Sequence, residues 1–206
     1  MTNRPATAAA SVAGLVLAGG KASRFGGADK AFIQFAGQTL IEHVLKRLQP
    51  QVTITAISAN GDPNRFAAFG LPVLPDDPDF ADCGPLTGVL SGLRWAAMQK
   101  IDFLLTTPVD TPLLPTTLCA RFMPGPAVAV QNGQMQPLTA LWPVGFASAL
   151  EAFLRQPGKH KVSAALALCA ARPVVFSDSG AAFTNINSLA DLIAAQAASG
   201  AVCGLA

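Results

Sequence analysis

The chain has 206 residues, of which 51% are hydrophobic and 13% are charged, and its formal net charge is +2. This length and composition predict one globular domain covering residues 1–206, with residues 1–11 as a flexible tail, and argue against a disordered chain. The small, dispersed positive charge excludes the basic surfaces typical of nucleic-acid-binding proteins, and no apolar run approaches the roughly 20 residues that span a bilayer.

The first half of the chain predicts strands that alternate with helices. Residues 12–17 form an apolar run typical of a buried strand, and a glycine-rich loop follows at residues 18–30. Thr39 and Glu42 have the spacing of a capping box, which predicts a helix over residues 40–48. Further strands are predicted at residues 52–57, 71–74 and 101–107, and a second long helix at residues 86–98.

The second half of the chain predicts a less regular arrangement. Residues 127–130 and 137–142 have the pattern of a hairpin around the turn QNGQ, which would add an antiparallel element. Helices are predicted at residues 145–154 and 162–170, a short strand at 174–176, and a final helix capped by Ser188 and Asp191. The expected fold class is α/β, a Rossmann-like three-layer αβα arrangement around a mostly parallel mixed sheet.

Three polar loops leave predicted strands at their carboxyl ends, where parallel sheets bind ligands. The first loop combines four glycines with Arg24, Asp29 and Lys30 in a chain that has few charges. Backbone N–H groups of a glycine-rich turn can converge on an anion, and nearby cations add charge, so the loop is typical of a phosphate site. Neither the Walker A pattern nor the dinucleotide fingerprint is present, which indicates a different kind of phosphate loop.

A second cluster of polar residues, TPVDTP at residues 107–112, follows the most strand-like stretch of the chain. Asp110 within it is well placed to bind Mg²⁺, which prefers carboxylate, water and phosphate oxygens. The alternative is an aspartate that only forms a turn between two prolines. Because Asp110 is predicted to lie at the same sheet edge as the glycine-rich loop, we favour the magnesium site.

The four cysteines and two histidines are widely separated and lack the spacing of a zinc site. The opening residues also lack the apolar block of a signal peptide. We therefore predict a cytoplasmic protein with free, mostly buried thiols.

The segment LAGGKASRFGGADKAF, residues 17–32, resembles the signature of the molybdenum cofactor guanylyltransferases, a branch of the nucleotidyltransferases. Similar segments follow in family order: GPLTGVLSGL at 84–93, PVDTPLLP at 108–115, QPLTALWP at 136–143 and FTNINSLADL at 183–192. The resemblance covers nearly the whole chain. It implies a nucleotidyltransferase fold and the transfer of GMP from GTP to the terminal phosphate of molybdopterin, with Mg²⁺ as cofactor and release of pyrophosphate.

The resemblance also implies roles for individual residues. Nucleotide contacts are implied for Leu17, Ala18, Gly19, Gly20, Gly27, Lys30, Ser58, Asp76 and Asp110. Arg24, Lys30 and Asp110 would be catalytic: Lys30 would neutralise the α-phosphate, Arg24 the departing pyrophosphate, and Asp110 would bind the Mg²⁺.

Three polar residues, Ser58, Asn185 and Asn187, match the family pattern less closely. Ser58 stands where the family has a nucleotide-contacting asparagine, and Asn60 lies two residues further on. Asn185 and Asn187 resemble the asparagine pair near the metal and the acceptor.

Two other functions are compatible with the same resemblance. One is a cytidylyltransferase that modifies the same pterin; the doubled glycine Gly19-Gly20 favours guanylyl transfer, because the cytidylyl branch usually has L-A-A-G. The other is a non-catalytic carrier of the cofactor, against which the presence of Arg24, Lys30 and Asp110 together argues. The implied partners are GTP and molybdopterin or Mo-molybdopterin, with molybdenum-insertion proteins and apo-molybdoenzymes as further candidates.

Overall fold

A computed structural model describes residues 10–19, 29–177, 180 and 182–198 of the chain. Its strands are β1 Val12–Leu17, β2 Gln34–Phe35, β3 Gln38–Thr39, β4 Ile54–Ser58, β5 Val73–Leu74, β6 Phe103–Pro108, β7 Ala127–Gln131, β8 Gln134–Pro143 and β9 Arg172–Val175. Its α-helices are α1 Leu40–Leu48, α2 Pro85–Met98, α3 Leu118–Phe122, α4 Ala147–Leu154, α5 Val162–Leu168 and α6 Leu189–Ala198.

Seven of these strands form one sheet in the order β5-β4-β1-β6-β8-β7-β9, and β2 pairs with β3 in a separate hairpin. β8 is antiparallel to both of its neighbours, whereas the other adjacent pairs are parallel. The predicted hairpin of β7 and β8 is therefore the source of the antiparallel element, and the prediction of a mostly parallel mixed sheet is confirmed.

Helices cover both faces of the sheet, as the alternating pattern of β1 requires. Val12 and Val16 pack in the core on the face covered by α1 and α3. Ala13 and Leu15 pack in the core on the opposite face, with α2, α4 and α5. All four side chains are buried, so β1 is an interior strand of a three-layer αβα arrangement.

Helix α1 begins at the predicted capping box. The Thr39 hydroxyl accepts the backbone N–H of Glu42 at 3.4 Å, and the Glu42 carboxylate accepts the backbone N–H of Thr39 at 2.6 Å. The Thr39 hydroxyl also donates to this carboxylate at 2.6 Å, and that bond, together with the bond from the Thr39 N–H, holds the pKa of Glu42 below its usual range. Because the two bonds satisfy backbone donors that the helix cannot satisfy itself, the predicted bounds of residues 40–48 are confirmed.

Other predicted bounds shift by a few residues. A 3-10 turn at Gln49–Gln51 delays β4 to Ile54, and β5 contains only two residues of the predicted segment 71–74. The short elements β2, β3 and α3 were not predicted, because two to five residues carry too little periodicity. Cys83, Cys119 and Cys169 are free and half-buried rather than buried, and Cys203 lies outside the described residues.

Most of the predicted flexible tail, residues 1–9, lies outside the described residues. At its end, Ser11 donates its backbone N–H and its hydroxyl to Asp102, each at 2.8 Å. Within the described ranges, none of the helices combines the length and hydrophobicity needed to span a bilayer.

Helix α2 packs tightly against the sheet at Gly92. A Cβ added there would lie 2.5 Å from Leu15 Cδ2 and 2.9 Å from Leu104 Cδ2, and both leucines are fully buried. We expect Gly92→Ala to lower the free energy of unfolding by about 1–2 kcal/mol, because overpacking costs about 1–3 kcal/mol and improved helix propensity offsets up to about 1 kcal/mol.

Urea-induced unfolding of the two proteins measures this difference. Gly145→Ala is the control, since a Cβ there meets no atom within 4 Å. A Gly92→Ala variant as stable as Gly145→Ala would contradict the expected crowding.

Candidate active site

A cleft of about 450 Å³ opens at the carboxyl edge of the parallel strands. The described residues that line it are Leu17, Gly19, Lys30, Ser58, Asn60, Asp76, Ala81, Gly84, Pro85, Gly88, Pro108, Val109, Asp110 and Leu138. Most of them lie in the three loops that the sequence predicted at this edge.

The sheet register brings these loops together. Leu17, the last residue of β1, pairs with Ser58 at the end of β4 on one side and with Pro108 at the end of β6 on the other. The Ala18 N–H donates to the Ser58 carbonyl at 2.8 Å, and the Val109 N–H donates to the Leu17 carbonyl at 3.1 Å. The loops that follow β1, β4 and β6 therefore start from one fixed backbone platform.

One end of the cleft is a charged cluster formed by Lys30, Asp110 and Asn187. The Lys30 ammonium lies 2.6 Å from Asp110 Oδ2 and donates to Asn187 Oδ1, also at 2.6 Å. Only 14% of the Lys30 side chain and 19% of the Asp110 side chain are exposed, so the pair is partly shielded from water. The structure therefore brings together the two residues that the sequence singled out from separate loops.

The second oxygen of Asp110 differs from the first. Asp110 Oδ1 is buried and has no hydrogen-bond partner among the described residues. An unpartnered buried carboxylate oxygen is costly, and a hard cation such as Mg²⁺ is the ligand that it suits. The residues present therefore fit the magnesium ion predicted from the sequence, with Oδ1 as the oxygen available to it.

Lys30 is held in place by the short 3-10 helix Lys30–Phe32. Asp29 caps this turn, since its Oδ1 accepts the Ala31 N–H at 3.1 Å, and its Oδ2 lies 3.0 Å from Arg65 Nε. Ala31 is fully buried and anchors the turn in the core. The end of the glycine-rich loop is thus attached to the body of the protein directly beside Lys30.

The other end of the cleft is formed by Asn60 and Asp76. Asn60 donates its amide to Asp76 Oδ2 at 2.7 Å, and its carbonyl accepts the Asp76 backbone N–H at 2.9 Å. Asp76 follows β5 and Asp110 follows β6, three strand spacings away, which corresponds to about 14 Å. The cleft is therefore elongated, with a polar group at each end.

Ser58 and Asn60 both line the cleft, but they differ in exposure and in their hydrogen-bond partners. Ser58 lines the cleft but is buried, and its hydroxyl lies 2.4 Å from the position that a Cβ of Gly88 would take. Asn60 is exposed in the cleft and pairs with Asp76. Asn60 therefore adds a polar side chain to the cleft at the exit of β4, and it was not among the predicted nucleotide contacts.

The start of α2 forms one wall of the cleft and was also absent from the predicted residues. Gly84 has a φ of +65°, a conformation that favours glycine, and Pro85 occupies the first helical turn. The family resemblance includes the segment GPLTG but implies no role for its individual residues. Leu138, in the middle of β8, also lines the cleft.

The loop after Asp76 is tied to the helices by a network of charges. Arg94 of α2 lies 2.6 Å from Asp77 Oδ2 and 2.7 Å from Glu151 Oε2. The hydrogen bond from Arg94 holds the pKa of Asp77 below its usual range. The network stabilises the loop that carries Asp76 without contributing a group to the cleft.

Several predicted site residues are not placed in the cleft. Gly20, Arg24 and Gly27 lie outside the described residues. Ala18 is buried and contributes its backbone to the platform rather than a side chain. Asn185 is exposed and, within the described part of the chain, has no hydrogen bond to Lys30 or Asp110. Of the two predicted asparagines, therefore, Asn187 contacts Lys30 and Asn185 does not.

The model of the MobA-like NTP transferase domain matches residues 14–171. The molybdenum cofactor guanylyltransferase of Acidiphilium cryptum is 48% identical over 183 residues, which cover 89% of this chain and 93% of that protein. The chain belongs to the molybdenum cofactor guanylyltransferase family. The molybdenum cofactor guanylyltransferase of Cereibacter sphaeroides supports the same assignment. It is 46% identical over 187 residues, which cover 89% of this chain and 94% of that protein. The family resemblance read from the sequence is thereby confirmed.

Solved structures confirm the fold of this guanylyltransferase family member. The molybdopterin-guanine dinucleotide biosynthesis protein A of Archaeoglobus fulgidus superposes with a TM-score of 0.70 at 20% identity, covering 91% of this chain and 98% of that one. The 2-C-methyl-D-erythritol 4-phosphate cytidylyltransferase of Thermus thermophilus superposes with a TM-score of 0.64 at 16% identity, covering 90% and 98%. The predicted nucleotidyltransferase fold is therefore correct.

Proposed function

We propose that this chain transfers GMP from GTP to the terminal phosphate of molybdopterin, with or without bound molybdenum. An oxygen of the pterin phosphate forms a bond to the α-phosphorus of GTP, the bond from that phosphorus to the bridging oxygen of the β-phosphate breaks, and pyrophosphate leaves. The observation that carries the proposal is the pairing of Lys30 with Asp110, whose Oδ1 stays unpartnered, in the cleft of a family member. The names of relatives at 46% and 48% identity support guanylyl transfer.

The Lys30 ammonium is the group of this chain best suited to the reacting phosphate. Its contacts with Asp110 and Asn187 orient it at the charged end of the cleft before substrate binds. Positive charge that is already oriented stabilises the charge that develops during phosphoryl transfer. Because the attacking phosphate is itself an anion, no general base is required.

Magnesium completes this proposal as the cofactor. Asp110 would hold the ion through Oδ1, and the bound ion would supply further positive charge to the phosphate oxygens. Each carboxylate oxygen of Asp110 would thereby contact a different cation, since Oδ2 pairs with the Lys30 ammonium and Oδ1 would bind Mg²⁺.

The nucleoside would occupy the far end of the cleft. Asn60 fixes Asp76 through two hydrogen bonds, and the carboxylate held in this way would contact the bound nucleotide. Leu17 and Gly19 line the cleft between the two ends and are proposed to contact the nucleotide there, while Arg24, Gly20 and Gly27 would complete the phosphate loop. We propose that the reaction takes place in the cytoplasm, with molybdenum-insertion proteins and apo-molybdoenzymes as further partners.

Pyrophosphate release tests the proposed function. The protein is incubated with Mg²⁺ and either GTP or CTP, each with and without molybdopterin. We expect release with GTP only, and only when the pterin is present. Release with CTP alone would assign the chain to cytidylyl transfer, and pterin binding without release from either nucleotide would indicate a carrier.

A further inference from the structure

A chain of three contacts links helix α6 to the charged end of the cleft. Asp191, in the first turn of α6, accepts the backbone N–H of Asn187 through Oδ2 at 2.9 Å. The side-chain carbonyl of Asn187 accepts the Lys30 ammonium at 2.6 Å, and Lys30 pairs with Asp110 at 2.6 Å. Asp191 therefore lies two contacts away from Lys30 and three contacts away from Asp110.

We propose that Asp191 is a positioning residue for Lys30. Asp191 acts by holding the backbone of Asn187 in place, so that the side-chain carbonyl of Asn187 can accept a hydrogen bond from the Lys30 ammonium. Lys30 has a long and flexible side chain, which a single acceptor fixes poorly. Two acceptors on different segments, Asp110 and Asn187, limit it to one orientation, and the second acceptor depends on Asp191.

The segment that carries Asn187 is anchored from the other side as well. Ile186 is fully buried and packs with Phe35 and Leu40. The Ile186 N–H donates to the backbone carbonyl of Asp110 at 2.9 Å. The segment is thus fixed on its amino-terminal side by burial and by Asp110, and Asp191 supplies the tether on its carboxyl-terminal side.

The charge of Asp191 is consistent with this position. The N–H of Asn187 is the largest cause that holds the pKa of Asp191 below its usual range, the Ser188 hydroxyl adds to it, and the positive charge of Lys30 contributes as well. The carboxylate of Asp191 is thus in the charged form that accepts the Asn187 N–H most strongly.

A purely structural role must be separated from positioning. The Asp191 N–H donates to the Ser188 hydroxyl at 3.2 Å, and an acidic residue in the first turn stabilises a helix. Asp191 could in that way contribute to α6 alone. Ser188→Ala is therefore the matched control, because it removes the other side-chain contact at the start of α6 and leaves the bond between Asp191 and Asn187.

The first test measures the accessibility of Lys30 and does not depend on activity. The protein is treated with an amine-acetylating reagent, and modification of Lys30 is quantified by mass spectrometry with exposed Lys46 as the internal reference. We expect Asp191→Ala to raise the modification rate of Lys30 severalfold, with Ser188→Ala unchanged. An unchanged rate in Asp191→Ala, or an equal rise in Ser188→Ala, would overturn the proposal.

The second test is kinetic and rests on the proposed guanylyl transfer. We expect Asp191→Ala to lower kcat about tenfold with little change in KM for GTP, because a misplaced charged group loses stabilisation of the transition state more than of bound substrate. Asn187→Ala should have a similar effect, and the double variant should lose no more than Asn187→Ala alone. Additive losses would show that Asp191 acts independently of Asn187 and would overturn the proposal.

Asp191→Asn keeps the assay informative if the alanine variant unfolds. Asparagine retains a carbonyl oxygen that can accept the Asn187 N–H, so activity and Lys30 protection should both be largely restored. Loss of Lys30 protection in a folded Asp191→Asn protein would count against the proposal. If the unmodified protein transfers no nucleotide, the proposed function fails, while the labelling experiment still decides the role of Asp191.

Discussion

The Asp110→Ala variant is expected to lose at least about a thousandfold in the rate of pyrophosphate release from GTP, because removal of one preorganised charge-stabilising group already costs about a hundredfold to a thousandfold. The substitution removes two functions at once. Lys30 loses its closest acceptor, and Oδ1, the oxygen that fits a metal ion, is absent. Steady-state release of pyrophosphate with saturating GTP, pterin and Mg²⁺ measures the loss.

The same variant should remain folded. The lost ion pair is offset by removal of the unpartnered Oδ1, whose burial costs about 1–3 kcal/mol. Thermal unfolding checks this, and Asp79→Ala is the control because Asp79 is exposed in a loop next to the cleft. Mg²⁺-dependent turnover within about tenfold of the unmodified protein would contradict the role of Asp110, since a lost metal ligand costs far more.

The Lys30→Ala variant is expected to reduce kcat by about a hundredfold to a thousandfold, with a much smaller change in KM for GTP. The reason is that the ammonium acts chiefly on charge that develops as the α-phosphorus reacts, and only interactions that strengthen in the transition state raise kcat. Measurement of both constants over a range of GTP concentrations separates the two effects.

Lys46→Ala serves as the control for Lys30→Ala, because Lys46 is exposed on α1. Weaker GTP binding combined with unchanged turnover at saturation would show that Lys30 binds substrate and transition state equally. That outcome would remove Lys30 from the chemical step but leave it in the binding site.

The elements that the sequence predicted best are those with a strong local signal. β1 was predicted to its terminal residues because it is a run of six apolar residues, of which five are buried, and α1 was predicted because its capping box is formed in the structure. The hairpin of β2 and β3 carries no such signal, since each strand has two residues. Local patterns therefore predicted the scaffold but not its short additions.

The candidate site was predictable where its charged residues lie in the loops that follow strands. Asp110 and Lys30 were selected because charged residues are rare in this chain and both lie at the carboxyl edge of the sheet. The contact between Lys30 and Asn187 could not be predicted from local patterns, because it joins residues 157 positions apart. The pairing of Asn60 with Asp76 was likewise hidden, since only the structure shows that β4 and β5 end side by side.

The separation of the groups around Lys30 also has a consequence for how the protein folds. Its two acceptors lie 80 and 157 residues further along the chain. Contacts between such distant residues require large loops to close, and they form more slowly than local helices. We therefore expect a refolding chain to regain its helical signal before it can bind a triphosphate, so that the phosphate end of the cleft is among the last parts of the protein to assemble.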